Sequence, residues 1–313
     1  MTAADRERLI RAAARNHVSW MKAQTLAGGG GTERHGALRW LAGPGGHATL
    51  AFPRHAPRPG LDALLEWSRR RGAGGIGCWA SGLEPIGELA ARLVARGFEW
   101  GWQPHWMALD LERLPLDETD ERVSLATDVP EYGDGFGRAL MEMVRRHPHR
   151  FAHAVARVDG AYAGHATVHV VGGRYAGAGI YDVDVLPSRR RRGLGRALTL
   201  AVCRAAARAG ARIATLNATG EGELLYRALG FRSLGLGQTW WIHRAGLLAP
   251  PPAELVAVAE AAGRGDVDAL ERLAPPTHLL RRRLPGNKLG LAEVARDAGH
   301  PEAAEWLAAR GAL

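Results

Sequence analysis

The chain of 313 residues carries a formal charge of +9, with 46% hydrophobic and 23% charged residues, a balance that excludes a disordered or fibrous protein and supplies enough chain for two or three compact domains. No apolar run reaches the roughly 18 residues of a membrane-spanning helix, and the charged start from Met1 to Ile10 is unlike a secretory signal, so a cytoplasmic protein is expected. Lysine occurs only at Lys22 and Lys288, so the positive charge is almost wholly arginine and its placement matters more than its sum.

Along the chain, the first segment runs from residue 1 to 114. Within it Leu61 to Arg71 reads as a helix and Ile76 to Trp79 as a strand that contains Cys78. Cys78 and Cys203 have no Cys-x-x-Cys partner, which predicts two buried small apolar residues and neither a disulfide framework nor a cysteine zinc site. Trp100, Trp102 and Trp106 are evenly spaced and are expected on one face of a strand, packing between sheets or lining an acceptor pocket. A polar stretch (Asp117, Glu118, Asp120, Glu121) after Leu114-Pro115 reads as a linker.

The second segment, 115–248, opens with a helical pattern over 137–146. Apolar runs follow from Phe151 to Val158 and from Tyr162 to Val171, separated by the turn Asp159-Gly160. Next come a strand from Ala178 to Val185, a loop rich in arginine and glycine, a long amphipathic helix from Leu194 to Ala209, and a strand from Arg212 to Asn217. A helix from Glu221 to Leu229 leads to a last strand at Thr239 to His243. This alternation predicts a mixed-sheet α/β fold. Pro250, Pro251 and Pro252 then interrupt any helix or central strand, and 253–313 reads as a short all-α tail.

The loop carries the clearest chemistry. Pro187 stops the strand, and Arg190, Arg191, Arg192, Gly193, Leu194, Gly195 and Arg196 open the long helix. Backbone N–H groups converging at a helix N-terminus, with the aligned dipole behind them, form an anion site. Glycine lets a diphosphate approach the backbone, and arginine adds charge-assisted hydrogen bonds. The spacing is neither Gly-x-Gly-x-x-Gly nor a nucleotide triphosphate loop with Gly-Lys-Ser/Thr.

These residues resemble the GNAT superfamily of acyl-CoA N-acyltransferases. Its motif of Arg or Gln, two residues, Gly, one residue, Gly or Ala stands here as Arg190, Gly193 and Gly195. Val183-Asp184-Val185-Leu186-Pro187 resembles the strand leading into that loop, and Leu224-Leu225-Tyr226-Arg227-Ala228-Leu229-Gly230-Phe231 resembles the second signature helix. The resemblance implies acetyl-CoA as acyl donor, with main-chain groups of Val183, Asp184 and Val185 on the pantetheine arm and amides from Arg190 to Arg196 on the pyrophosphate. Asn217 is a further pantetheine contact or simply a polar strand end. Tyr226 stands where the family places the acid that protonates the leaving thiol; as an alternative it is an aromatic packing under the last strand. For the base that deprotonates the acceptor, Tyr181, Asp182, Asp184 or a water chain near Tyr181 are candidates; as an alternative, both aspartates are solvent-facing polar partners in the strand. Strict alternation groups Tyr181 with Val183 and Val185, and Asp182 with Asp184, unless a bulge shifts the register.

Internal comparison suggests a tandem GNAT arrangement. Leu93-Val94-Ala95-Arg96-Gly97-Phe98 repeats the pattern of Tyr226-Arg227-Ala228-Leu229-Gly230-Phe231, each ahead of an aromatic-rich run. In the first segment Leu93 takes the tyrosine position, and Pro53-Arg54-His55-Ala56-Pro57-Arg58-Pro59-Gly60 stands where a cofactor loop belongs, its prolines lacking backbone donors. A degenerate first copy is expected. In the tail, Gly265 to Leu273 and Gly299 to Leu307 align about 34 residues apart and resemble ankyrin repeats, as a structural cap or a seat for a protein or peptide partner.

His147, His149, His153, His165 and His169 lack the companions of a zinc centre, so no metal is expected; they are candidates to line an acceptor cleft. The expected activity is transfer of an acetyl group to a primary amine of a small molecule or peptide. Its rival is a non-catalytic acyl-CoA-binding scaffold or sensor that uses the tail. Nucleic-acid binding through Arg189 to Arg192 and Arg281 to Arg283 is a weaker rival that calls for steep salt dependence.

Overall fold

A computed structural model of the chain describes residues 1–53, 56–83, 86–115, 117–133, 135–172 and 177–312. Arg54 and His55, part of the proline-rich segment expected at the first copy's loop, lie outside the described residues.

A long helix α1 (Ala3–Ala27) comes first, started by a capping box in which the Thr2 hydroxyl accepts from the Asp5 N–H and the Asp5 carboxylate accepts from the Thr2 N–H. Strands β1 (Gly31–His35), β2 (Leu38–Ala42) and β3 (Ala48–Ala51) follow, then α2 (Arg58–Arg70), β4 (Gly75–Ala80), α3 (Ile86–Ala95), β5 (Glu99–Trp100) and β6 (His105–Asp110). The middle of the chain gives β7 (Val123–Leu125), α4 (Phe136–Arg146), β8 (Phe151–Val158), β9 (Ala161–Val171) and β10 (Gly177–Val185). After these come α5 (Leu194–Arg208), β11 (Ile213–Ala218), α6 (Gly220–Ala228), β12 (Arg232–Leu236) and β13 (Gln238–His243). Five helices follow the short α7 (Arg244–Leu248): α8 (Ala253–Arg264), α9 (Val267–Leu273), α10 (Thr277–Leu280), α11 (Leu291–Asp297) and α12 (Pro301–Ala308). Among the described residues no helix is long and apolar enough to cross a membrane.

Two compact units result, each assembled from two stretches of chain: Met1–Gly31 with Gln103–Gly237, and Thr32–Trp102 with Gln238–Leu313. The sequence reading divides the chain contiguously at 1–114, 115–248 and 253–313, whereas the compact units interleave.

The first unit holds a seven-stranded sheet in the order β12-β6-β11-β10-β9-β8-β7, in which β10 and β11 run parallel and are joined by α5. Alternation decides its faces. Ala154, Ala166, Val168, Ala178 and Ile180 pack with Leu198 and Val202 of α5, while Phe151 and Val155 pack with Trp20 of α1 and Leu140 and Val144 of α4. Each fully buried Leu, Ile, Val or Phe side chain among these contributes about 1.5–3 kcal/mol.

The second unit holds a six-stranded sheet in the order β1-β2-β3-β4-β13-β5. Here β3 and β4 are the parallel pair, joined by α2, over a core that includes Leu50, Leu61, Leu64, Cys78 and Trp240. Helices α8 to α12 build a further core from Leu255, Val258, Leu270, Leu291 and Leu307, which takes in Ala95 of α3. Both cysteines are buried and unpaired.

The two sheets share a plan. In each, a parallel pair bridged by a helix is followed by an antiparallel strand and then an antiparallel edge strand: β10, β11, β6, β12 in one and β3, β4, β13, β5 in the other. The strand expected to close the second segment is therefore β13 of the six-stranded sheet. Nor do the three tryptophans share one strand: Trp100 lies in β5 against Trp240, Trp106 lies in β6 against Asn217, and Trp102 is in the connection between them. Pro104 has no N–H to continue a ladder, so the chain leaves one sheet and enters the other.

Candidate functional site

The first unit's sheet opens at its centre. β10 and β11 pair from Gly177↔Ile213 to Ile180↔Leu216 and no further, while Asn217 and Ala218 pair only with Trp106 and His105 of β6. From Tyr181 to Val185 the β11 edge of β10 is thereby left without a partner strand, although the Val185 carbonyl accepts from Arg190 Nε. On the other side, pairing with β9 jumps from Tyr181↔Thr167 to Asp184↔His165, a bulge at which Asp182 adopts φ 52°.

That bulge corrects the alternation expected for this strand. An extra residue returns Asp184 to the face of Tyr181, Thr167 and His165, whereas Val183 and Val185 turn to the α5 side and join the core with Ala178 and Ile180. Tyr181 therefore shares no face with Val183 and Val185.

The loop after β10 presents donors. Arg190 Nε donates to the Val185 carbonyl at 3.0 Å, folding the arginine stem back on the strand. Arg191 (φ 62°) and Gly193 (φ 80°) are left-handed, and Gly193 caps α5 without a side-chain hydrogen bond. Among the described residues the N–H groups of Arg191 through Arg196 have no partner. These are the donors an α-helix start leaves open, with the positive end of the α5 dipole behind them. At Gly195 a Cβ would stand 3.1 Å from Leu225 Cδ2, so the helix start also packs closely on α6. Arg190 lies 3.6 Å from Glu221, and Arg196 pairs with Glu118 at 2.6 Å; Arg191 and Arg192 are exposed and, among the described residues, without an ion pair. This arrangement fits a diphosphate.

At the opening between the strands, Asn217 Nδ2 donates to His17 Nδ1 at 3.0 Å, and Asn217 Oδ1 is buried with no partner among the described residues. An orphaned buried acceptor costs about 1–3 kcal/mol, so a donor from a bound molecule has a place to go. The Tyr181 hydroxyl donates to Asn16 Oδ1 at 2.6 Å, and its ring stacks on Trp20 at 4.6 Å. Burial pushes that phenol well above its ordinary value. Tyr226, on α6, is 7% exposed and meets the Phe231 ring edge-on; burial pushes its phenol up to about 12. Its hydroxyl has no hydrogen-bond partner among the described residues.

A polar cluster that sequence reasoning did not assemble lies on the Tyr181 face. Tyr132 Oη bonds His153 Nε2 at 2.8 Å, His153 Nδ1 bonds Thr167 Oγ1 at 2.9 Å, and Tyr162 bonds His165 Nδ1. His153 is fully buried, and burial pushes it down to about 3. Asp182, exposed at the bulge, is raised from its ordinary value because neighbouring protein partly displaces its water, as happens in a recess open to solvent. Of the other histidines, His169 stacks on Phe151 at 4.4 Å and bonds Ser19, while His147 and His149 are exposed at the end of α4. His153 and His165 stood out in the sequence only as separate candidates for an acceptor cleft; Tyr132, Thr167 and His17 carried no local signal.

The parallel pair of the six-stranded sheet spans four register pairs, as β10 and β11 do. It runs from Ala48↔Ile76 to Ala51↔Trp79, where the Phe52 N–H donates to the Trp79 carbonyl at 2.8 Å. Trp79 meets Trp102 edge-on at 5.7 Å.

Residues 121–231 match the model of the acetyltransferase (GNAT) family. Among solved structures, a GCN5-related N-acetyltransferase from Kribbella flavida is 20% identical over 73% of this chain and 95% of its own, with a TM-score of 0.52. A tandem GNAT protein from the clavulanic acid biosynthesis pathway is 22% identical over 66% of this chain and 78% of its own, with a TM-score of 0.48. A GCN5-related N-acetyltransferase from Sphaerobacter thermophilus is 19% identical over 66% and 77%, with a TM-score of 0.45. No curated protein matches the chain. The fold is that of the GNAT acetyltransferases, and the segment 121–231 carries that family's sequence signature.

Proposed function

We propose that the protein is an acyl-CoA-dependent N-acetyltransferase that moves an acetyl group from acetyl-CoA to a primary amine of a small molecule or peptide. The observation that carries this reading is the row of open N–H groups from Arg191 to Arg196, set at the start of α5 directly after the strand that parts from β11. The amides, with Arg190, Arg191 and Arg192, take the pyrophosphate. Main-chain groups of Val183, Asp184 and Val185 take the pantetheine arm, and Asn217 Oδ1 accepts one of its amide protons. The amine attacks the thioester carbon, a main-chain N–H of the opened strand steadies the charge on oxygen, and Tyr226 protonates the departing sulfur. A hydroxyl without a hydrogen-bond partner among the described residues, on a phenol that burial keeps protonated, suits that acid role. Titration with acetyl-CoA, followed by mass spectrometry of a panel of amines and peptides incubated with it, tests the reading.

We further read the six-stranded sheet as the worn copy of a tandem pair. Its shared plan supports the duplication, and Leu93 in the place of Tyr226 supports the loss of the acid. The tail is read as ankyrin-like. Gly265 (φ 68°) and Gly299 (φ 84°) make equivalent turns between α8 and α9 and between α11 and α12, and the loop joining the two pairs closes with the Arg283↔Gly290 bridge.

A further inference from the structure

We propose that His165 is the general base that removes a proton from the acceptor ammonium, with Tyr162 and Asp184 as its positioning residues; this rests on the acetyltransfer reading above. The β10 bulge sets Asp184 directly opposite His165 beside the parted strands, and Tyr162, from the same strand as His165, bonds Nδ1. With the proton on Nδ1 donated to the Tyr162 oxygen, the lone pair of Nε2 is free, and no described protein group pairs with it.

The other candidates are less suited. Tyr181 already donates its hydroxyl proton to Asn16, and His153 has both ring nitrogens bonded inside the core. His169 is fully buried against Phe151. His165 alone in this cluster of imidazoles is partly exposed with an open nitrogen.

The groups that face His165 are Asp184 from β10, His153 from β8 with ring centres 5.4 Å apart, Tyr132 ahead of α4 at 5.7 Å, and Tyr162; Asp182 stands at the bulge. Burial lowers the His165 imidazole from its ordinary value while Asp184 opposes that shift. Burial thus favours the neutral ring, the form that can accept a proton.

Protons balance. Two leave the nitrogen as the C–N bond forms and the C–S bond breaks: His165 takes the first and passes it to solvent, and the second replaces the proton that Tyr226 gives to sulfur.

The test uses the full chain, with spermidine, an aminoglycoside and a lysine tripeptide as acceptors and kcat measured from pH 5 to 10. For whichever acceptor the native protein acetylates, His165→Gln is expected to lose about 10²-fold or more in kcat, with KM for acetyl-CoA unchanged and the acidic limb of the profile gone. Tyr162→Phe is expected to move that limb, which a merely structural tyrosine would not do. His165→Ala is expected to regain turnover with added imidazole, which guards against a folding defect in the glutamine variant. A native-like kcat and acidic limb in His165→Gln overturns the proposal while Tyr226→Phe remains impaired and the acetyltransfer reading stands. If the native protein binds acetyl-CoA but acetylates none of the three, or does not bind it, the acetyltransfer reading fails and this inference falls with it.

Discussion

Asn217 spends its Nδ2 on His17 Nδ1 and leaves Oδ1 buried without a partner among the described residues at the point where β10 and β11 separate. A side chain held by one end and orphaned at the other is poised to accept from a bound molecule. Asn217→Ala is expected to weaken acetyl-CoA binding about 5- to 10-fold, the worth of one hydrogen bond of about 1–1.5 kcal/mol, in a calorimetric titration. Unchanged affinity would remove Asn217 from the donor site.

Tyr226→Phe is expected to lower kcat about 10²-fold with acetyl-CoA affinity retained. Because burial holds the phenol up to about 12, the acid form persists through the alkaline range. Steady-state kinetics should show no loss of kcat from this group below about pH 10, since its deprotonation begins about two units under its pKa.

His17, His153 and His169 are pushed down to about 3, 3 and 4 by burial. Their folded values lie below the unfolded value of 6.5, so as pH falls through 6.5 the unfolded chain binds protons that the folded one refuses. Stability is expected to be independent of these groups above about pH 6.5 and to fall below it, by up to about 1.4 kcal/mol per pH unit for each group. Urea unfolding at pH 7.5, 6 and 5 checks the slope, which His153→Gln should reduce.

Within the second unit, Glu260 of α8 is fully buried and accepts from Arg96 and Arg58, while Arg96 also reaches Asp62 at 2.8 Å. Glu260→Ala leaves the Arg96 charge without its buried partner and is expected to cost about 3–5 kcal/mol in urea unfolding, whereas Arg96→Met combined with Glu260→Leu should cost less.

How legible each part was follows from how local its cause is. The loop and the helix start at Leu194 could be read because Gly193 and Gly195 act through backbone conformation within a few residues. The strands β8, β9 and β10 and helix α5 could be read because their apolar periods are long. Sheet membership could not: an aromatic stretch such as Trp240-Trp241 or Trp106-Met107 fits either sheet, and the partner is chosen by chain far away in sequence. The bulge at Asp182 was foreseeable only as a possibility, since no glycine marks it, and with it went the faces of Asp184 and Val183. Helix α1 escaped notice, so the contributions of Asn16, His17 and Trp20 to the site escaped with it.

The central claim concerns one donor site per chain, formed where the Arg191 to Arg196 amides meet the parted strands. Calorimetric titration of the full chain with acetyl-CoA, repeated on Gly193→Val, tests it most directly. A left-handed cap at φ 80° tolerates no β-branched residue. The expected result is one acetyl-CoA bound per native chain and loss of binding in the variant. No heat with the native chain, two molecules bound per chain, or full binding by a folded Gly193→Val would contradict it.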